Sequence, residues 1–420
     1  MKLKLLFALL VFQVSFAQHR TCGMQEKQAQ IMSNPVQRQA YLEQQNKFNV
    51  QLQKIVSNKN GNSINAVIRI PVAVHFPAVA TNSSLKACFR TLAQSQVNTL
   101  NADYKGTNAD ISNYTADASF YPGTNTGSLQ VEFVLATQNH PPGTGLVNGD
   151  LAVTFGTDFL GNNDNDATWA GYLNLVCRNI GGGTLGYSNL GSSPSAGDCV
   201  VINKAAFGSG SGCTGYVPGA PYDLGRTLTH ELGHYFNLDH TFAGCGESNC
   251  ADYNVFNPNG DGVCDTPALN VENYDCPAAG DVMGCSNYAL TMNYMDYTND
   301  ACMYMFTAGQ AARMLAWYNT IAGEFKSNVL GNESFYKNDF SIYPNPNKGS
   351  FTIQFTSNSS NDNGVKVFVH DMSGRLILES NYEDSASFNQ NIQLNNAQAG
   401  VYLLTVTDGE MKQSKKIVVE

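Results

Sequence analysis

Residues 229–242 read THELGHYFNLDHTF. His230 and His234 stand four apart, Glu231 adjoins the first, and His240 follows six residues after the second. On a helix turning about 100° per residue, the first two imidazoles lie about 40° apart and point into one space. Leu228, Leu232 and Tyr235 fall on the other side, where they can bury. Two imidazoles do not complete a catalytic zinc site, which takes three protein ligands and keeps a fourth position open. His240 supplies the third if the chain leaves the helix sharply after Phe236. The residue at that exit, Asn237, must then adopt the left-handed conformation, which glycine reaches freely and asparagine better than most. Such strain costs about 1–2 kcal/mol, against roughly 10 kcal/mol for a zinc site. The turn is therefore expected to form. A zinc ion on three neutral imidazoles lowers the pKa of its water to about 7, and Glu231 lies beside the pair to take the proton.

The elements that must position these residues begin near Ile64. In INAVIRIPVAVHF, Ile68, Ile70, Val72, Val74 and Phe76 alternate as a half-buried strand does. Phe89, Ala93, Val97, Leu100 and Tyr104 make a helical stripe. SLQVEFVLAT, LNLVC and DCVVI read as further strands around a glycine-rich GGGTLGYSNLG. Strands interleaved with a long helix predict a sheet layered on helix. Residues from Thr241 to about Tyr304 are loop-like and cysteine-dense, so cross-links rather than a core are expected to hold them. A helix follows in FTAGQAARMLAWYNTIAGEF, where Thr307 and Gln310 form a capping box.

At 420 residues the chain is too long for one ordinary core. A net charge of −10 without any basic block excludes nucleic acid as a partner. MKLKLLFALLVFQVSFAQ reads as a signal peptide over 1–17, and no later segment suits a membrane span. Residues 18–60, Gln- and Lys-rich with little to bury, read as a prosegment. Eleven cysteines in an oxidising compartment leave one over. Ten run from Cys88 to Cys302, so Cys22, in HRTCGM, is the natural odd member. Its thiolate is a good zinc ligand and can switch the site off until cleavage; a disulfide or an idle thiol is the alternative. His75, inside the first strand pattern, reads as a satisfied core histidine.

HELGHYFNLDH resembles the HExxHxxGxxH signature of metzincin zinc peptidases, with asparagine in place of the glycine. NYMDYTNDACM and GDGVCDTP resemble motifs of the pappalysin (ulilysin-like) family, and the likeness spans about Ile64 to Phe325. The resemblance implies an α+β catalytic domain over 61–330: a mixed twisted sheet, a backing helix and a zinc helix, followed by an irregular lower part. It implies zinc on His230, His234 and His240, with Cys22 added in the latent form, and Glu231 as general base in peptide-bond hydrolysis. Met295 becomes the floor under the metal and Tyr297 a stabiliser of the tetrahedral intermediate. Asp300 either accepts a basic side chain in the S1′ pocket or bonds its own loop.

NPNGDGVCDTP offers Asn257, Asn259, Asp261, Asp265 and Thr266 as oxygen donors for Ca²⁺, or is simply a polar turn; relatives carry calcium near this loop. By analogy with the family, the disulfides expected are Cys250–Cys285, Cys276–Cys302 and Cys245–Cys264.

From about Phe335 the chain becomes short alternating strands without cysteine, a small β-sandwich over 335–420. FSIYPNPNKGSFTI, VFVHDMSGRLI and GVYLLTVTDGEMKQSKKIVV resemble the sorting domain of type IX secretion. That implies the secretion machinery as a partner and release to the surface or surroundings of a Bacteroidetes-type bacterium. Two readings follow: a secreted zinc endopeptidase acting on proteins or peptides, made latent, or a surface adhesin on the same scaffold without turnover.

Overall fold

The computed structural model describes residues 20–57, 68–156, 165–246, 260–330, 340–355, 365–382, 388–395, 397–408 and 411–420. The leader 1–17, Cys250, Asn257 and Asn259 lie outside the described residues. The chain divides into two compact units, Met1–Leu330 and Gly331–Glu420.

The first unit opens with two helices, α1 (Met24–Ser33) and α2 (Pro35–Ser57). Contrary to expectation, this segment has something to bury: Tyr41, Gln45, Phe48 and Leu52 form a stripe along α2 that is almost wholly covered. Spacings of four, three and four residues keep them on one helical face.

Strand β1 (Ile68–Phe76) is the hub of a six-stranded sheet. It pairs in parallel with β2 (Val131–Leu135) and β3 (Val153–Phe155) along one edge and with β4 (Leu173–Arg178) along the other. The edge strand β5 (Gly186–Tyr187) runs antiparallel to β6 (Cys199–Asn203), which is parallel to β4. Helix α3 (Lys86–Lys105) buries Phe89, Ala93, Val97, Leu100 and Tyr104 in the core that holds Ile70, Val72, Val74 and Phe76. The alternation in β1 predicted a half-buried strand, yet its other face is covered too, by Trp169, Tyr172, Val176 and Val329 around Ala73. A parallel strand inside a sheet is usually buried on both faces. His75 sits there, its Nδ1 2.7 Å from Thr154 Oγ1 and its Nε2 3.2 Å from Asn174 Oδ1.

After the short α4 (Tyr114–Asp117), the second half of the unit carries α5 (Arg226–Tyr235), a two-residue hairpin pair β7 (Met283–Gly284) and β8 (Asn287–Tyr288), and α6 (Ala308–Ile321). Both bonds of the predicted capping box start α6: Thr307 Oγ1 accepts from Gln310 N, and Gln310 Oε1 accepts from Thr307 N. The segment before α6 is not held by cross-links alone. Leu290, Met292, Tyr304 and Met305 close a small apolar cluster with Tyr114 and Tyr121.

Disulfides join Cys88–Cys213, Cys245–Cys285 and Cys276–Cys302. The expected Cys245–Cys264 and Cys250–Cys285 bonds therefore do not form, since Cys245 and Cys285 take each other; Cys264 is bonded elsewhere. Nor does Cys22 stand alone as a thiol, because Cys177 and Cys199 lie outside the disulfides as well. On the neighbouring strands β4 and β6, Cys177 pairs with Ile202 and Cys199 with Asn174. That register is three residues out of step, so the two thiols point to opposite faces of the sheet and lie in different cores.

The second unit packs a three-stranded sheet, β13 (Asn389–Gln393), β10 (Ser350–Phe355) and β9 (Phe340–Tyr343), with a four-stranded sheet. The latter orders β12 (Leu376–Tyr382), β11 (Val365–Asp371), β14 (Gly400–Asp408) and β15 (Met411–Val419). All pairs are antiparallel, and Phe351, Ile353, Val367, Leu404 and Ile417 lie in the core between the sheets.

Candidate active site

Helix α5 ends as the turn required. Asn237 has φ 68°, its N–H donates to His234 O at 2.8 Å, and Leu238 N donates to Gly233 O at 2.9 Å. Those two bonds form the Schellman pattern with asparagine in the glycine place. Arg313 Nε on α6 also donates to Asn237 O at 2.8 Å. The turn carries His240 back to the helix: His234 Nε2 lies 3.2 Å from His230 Nε2 and 3.1 Å from His240 Nε2.

The Nε2 atoms of His230 and His234 cannot be holding one another by a hydrogen bond. His230 Nδ1 donates to Tyr294 O at 2.6 Å and His234 Nδ1 to Leu238 O at 2.7 Å, which fixes both Nε2 atoms as bare acceptors. Burial keeps all three rings neutral, lowering His234 and His240 to about 3 and holding His230 well below its ordinary value. Converging lone pairs repel unless a cation lies among them. Tetrahedral zinc with Zn–N of about 2.0–2.1 Å separates its nitrogens by about 3.3 Å. The spacing fits that ion.

Cys22 Sγ completes the group, all four donor atoms lying within 4.8 Å of one another. Thr21–Gly23 reaches the site by extending the sheet. Leu185 N donates to Thr21 O and Gly23 N to Gly186 O, each at 3.0 Å, in a bridge parallel to β5. Cys22 Sγ donates to Glu231 Oε2 at 3.2 Å. Burial, then the neighbouring Glu231, pushes the thiol up; burial pushes Glu231 up to about 8. Gly186 makes room for that carboxylate, because a Cβ there would stand 2.7 Å from Glu231 Cγ.

Met295 lies against the underside of α5, where a Cβ on Gly233 would come 2.4 Å from its Sδ. Tyr297 stands beside the histidines, its ring 4.9 Å from that of His240 and 5.7 Å from that of His230. Burial, then Cys22 and Glu231, pushes its phenol well up.

Asp300 is buried between the head of α5 and Arg20. Its Oδ2 accepts from Leu224 N at 2.9 Å and Arg226 N at 3.2 Å, at the head of α5. Its Oδ1 accepts from Arg20 Nη2 at 2.6 Å, and that guanidinium lies 5.1 Å from the Tyr222 ring centroid. Arg20 had no role in the sequence reading, although its place two residues before Cys22 was a usable signal. Gly186 and Gly233 were missed for want of any sequence mark of a close approach.

Among the described residues of the proposed calcium loop, Asp261 and Thr266 come together and Asp265 turns away. Asp261 Oδ1 accepts from Thr266 Oγ1 and Val263 N, whereas Asp265 turns to the head of α6 and accepts from Thr307 Oγ1 and Gly309 N. Asp265 thus serves as a second cap of α6 rather than as a partner of Asp261.

Comparison with known proteins places this geometry. Residues 216–319 match the family model described as pregnancy-associated plasma protein-A, and residues 341–420 match the secretion system C-terminal sorting domain. An extracellular metalloprotease of Colletotrichum graminicola is 28% identical over 331 residues, covering 77% of this chain and 98% of that protein. Extracellular metalloprotease 1 of Coccidioides posadasii is 38% identical over 153 residues, covering 36% of this chain and 51% of its own length. Against several such fungal relatives the match spans about half of their length. Mature mirolysin of Tannerella forsythia, solved with a cleaved peptide, is 30% identical and covers 64% of this chain and 99% of its own, at a TM-score of 0.49. With the pregnancy-associated plasma protein-A model lying over α5 and the Met295 turn, and the sorting model over the last strands, residues 216–319 are a pappalysin-like peptidase domain and the chain ends in a type IX secretion sorting domain.

Proposed function

We propose that the chain is a secreted zinc endopeptidase held latent by its own prosegment. The observation that carries this reading is the convergence of three neutral imidazoles beside a buried glutamate, with Cys22 closing the fourth direction. Zinc, when bound, supplies a Lewis acid for a peptide carbonyl and acidifies water. The protein does the rest. His230 and His234 are locked in one tautomer by backbone carbonyls, so their donor atoms are preset. Glu231 takes the proton of the attacking water and returns it to the leaving amine nitrogen. Tyr297 lends its hydroxyl to the developing oxyanion.

In the latent chain, Cys22 stands where substrate and water must come, and Arg20 fills the pocket of Asp300. The Arg20–Asp300 pair supports reading that pocket as the S1′ site for a basic side chain. The C-terminal unit would address the protein to the type IX machinery, and the mature enzyme would act on protein or peptide outside the cell.

The adhesin reading rested on Asn237, and that residue makes the turn. Zinc content and hydrolysis of a denatured protein, compared between the processed parent and Glu231→Ala, test the proposal. Zinc in both and cleavage by the parent alone is the expected result. Equal signals from the two would leave only binding.

A further inference from the structure

The asparagine that replaces the motif glycine does more than turn the chain. Asn237 is fully buried, and its carboxamide faces that of Gln45 on α2. Gln45 Nε2 donates to Asn237 Oδ1 and Asn237 Nδ2 donates to Gln45 Oε1, each at 3.1 Å. The contact joins residues 192 positions apart. Around it, Phe48 packs against Trp317 of α6 at 5.7 Å between centroids, and the Arg313 guanidinium lies 4.8 Å from the centre of the Phe48 ring. Arg313 in turn donates to Asn237 O. Gly191 is part of the same fit, since a Cβ there would strike both Trp317 and Asn237 Oδ1. None of these residues belongs to the group around the zinc position.

We propose that Asn237, Arg313 and Trp317 form a second prosegment-recognition site, which reads Gln45 and Phe48 and keeps α2 bound after the chain is cut on its C-terminal side. The occupant is this chain's own helix. The physical warrant is the amide pair: each carboxamide satisfies the other in a buried place, and either one left alone is a desolvated polar group without a partner. Glycine at 237 makes the turn with less strain but offers nothing to Gln45. Activation then has two stages, a cut and a slower release, and the excised helix rebinds when concentrated. This rests on the latent-enzyme reading, but its test needs no turnover.

The test uses the full zinc-loaded chain carrying Glu231→Ala, with a site for a sequence-specific protease inserted between residues 57 and 68. Arg20→Ala and Cys22→Ala are added to remove the first anchor. After cutting, gel filtration and the dissociation rate of the 18–57 fragment are measured in the parent, Gln45→Ala, Asn237→Gly and the double variant. The fragment should co-elute in the parent. Each single change should speed its release by about tenfold to a hundredfold, and the double variant should be no worse than either single one. Immediate loss of the fragment in the parent, release rates indifferent to both positions, or effects that simply multiply would overturn the proposal. Gln45→Ala lies outside the catalytic fold, so a misfolded Asn237→Gly chain would still leave a deciding measurement.

Discussion

Arg20 and Asp300 meet at 2.6 Å across 280 residues of sequence, with both side chains buried. Removing one partner of a buried ion pair strands the other charge, at about 3–5 kcal/mol. Arg20→Ala should therefore loosen the prosegment and shorten the time to half self-processing at least about tenfold, with Arg20→Lys intermediate. Following the uncut band over time checks this. If Asp300 reads a basic residue, Asp300→Asn should lower kcat/KM for a peptide with arginine after the cut far more than for one with norleucine.

Gly233→Ala should be costly although it lies in a helix, where alanine is the better former. The added methyl would stand 2.4 Å from Met295 Sδ. Overpacking of this kind costs about 1–3 kcal/mol, so Tm should drop by roughly 2–10 °C. Pairing it with Met295→Ala should recover part of the loss, as a thermal melt of the double variant would show.

His75 predicts a definite acid limb. Burial lowers it from 6.5 to about 3, so the unfolded chain takes up this proton first as pH falls. Its contribution is complete above pH 6.5 and is lost as pH drops from 6.5 toward 3. His75→Gln should lower Tm at pH 8, through lost packing on Trp169, and flatten the Tm profile over that window. A profile of unchanged slope would count against the assignment.

Thiol labelling distinguishes the cysteine classes. Denaturation without reductant should expose Cys22, Cys177 and Cys199 to alkylation, and leave Cys88, Cys213, Cys245, Cys276, Cys285 and Cys302 unmodified. In the folded zinc-loaded chain Cys177 and Cys199 should resist, being fully buried or nearly so. Peptide mapping after labelling gives the answer directly.

Local periodicity carried the sequence reading as far as the helix faces. The four-residue step from His230 to His234, the alternation in β1 and the Thr307–Gln310 cap are set within a few residues, so they are legible there. What failed depended on long-range placement. The pairing of Cys245 with Cys285 is decided by loop paths that no spacing records. That Cys177 and Cys199 do not pair is decided by the register of β4 against β6, which puts them on opposite faces. Asp265 reads as a cation ligand in its own loop, and only the approach of α6 reveals it as a cap. Asn237 reads only as a strained turn residue when taken alone, because its partner Gln45 lies 192 positions earlier.

The strand pairing of Thr21–Gly23 with β5 has a consequence for the exported protein before it is ever active. An open sheet border is a template for any extended chain, welcome or not. While Thr21–Gly23 lies along it, those amides and carbonyls are already engaged, and neighbouring molecules in transit find nothing there to join. Under the proposed removal of that segment the same border would be bared, so the readiness to grip a polypeptide and the hazard of sticking to a sibling would arise together.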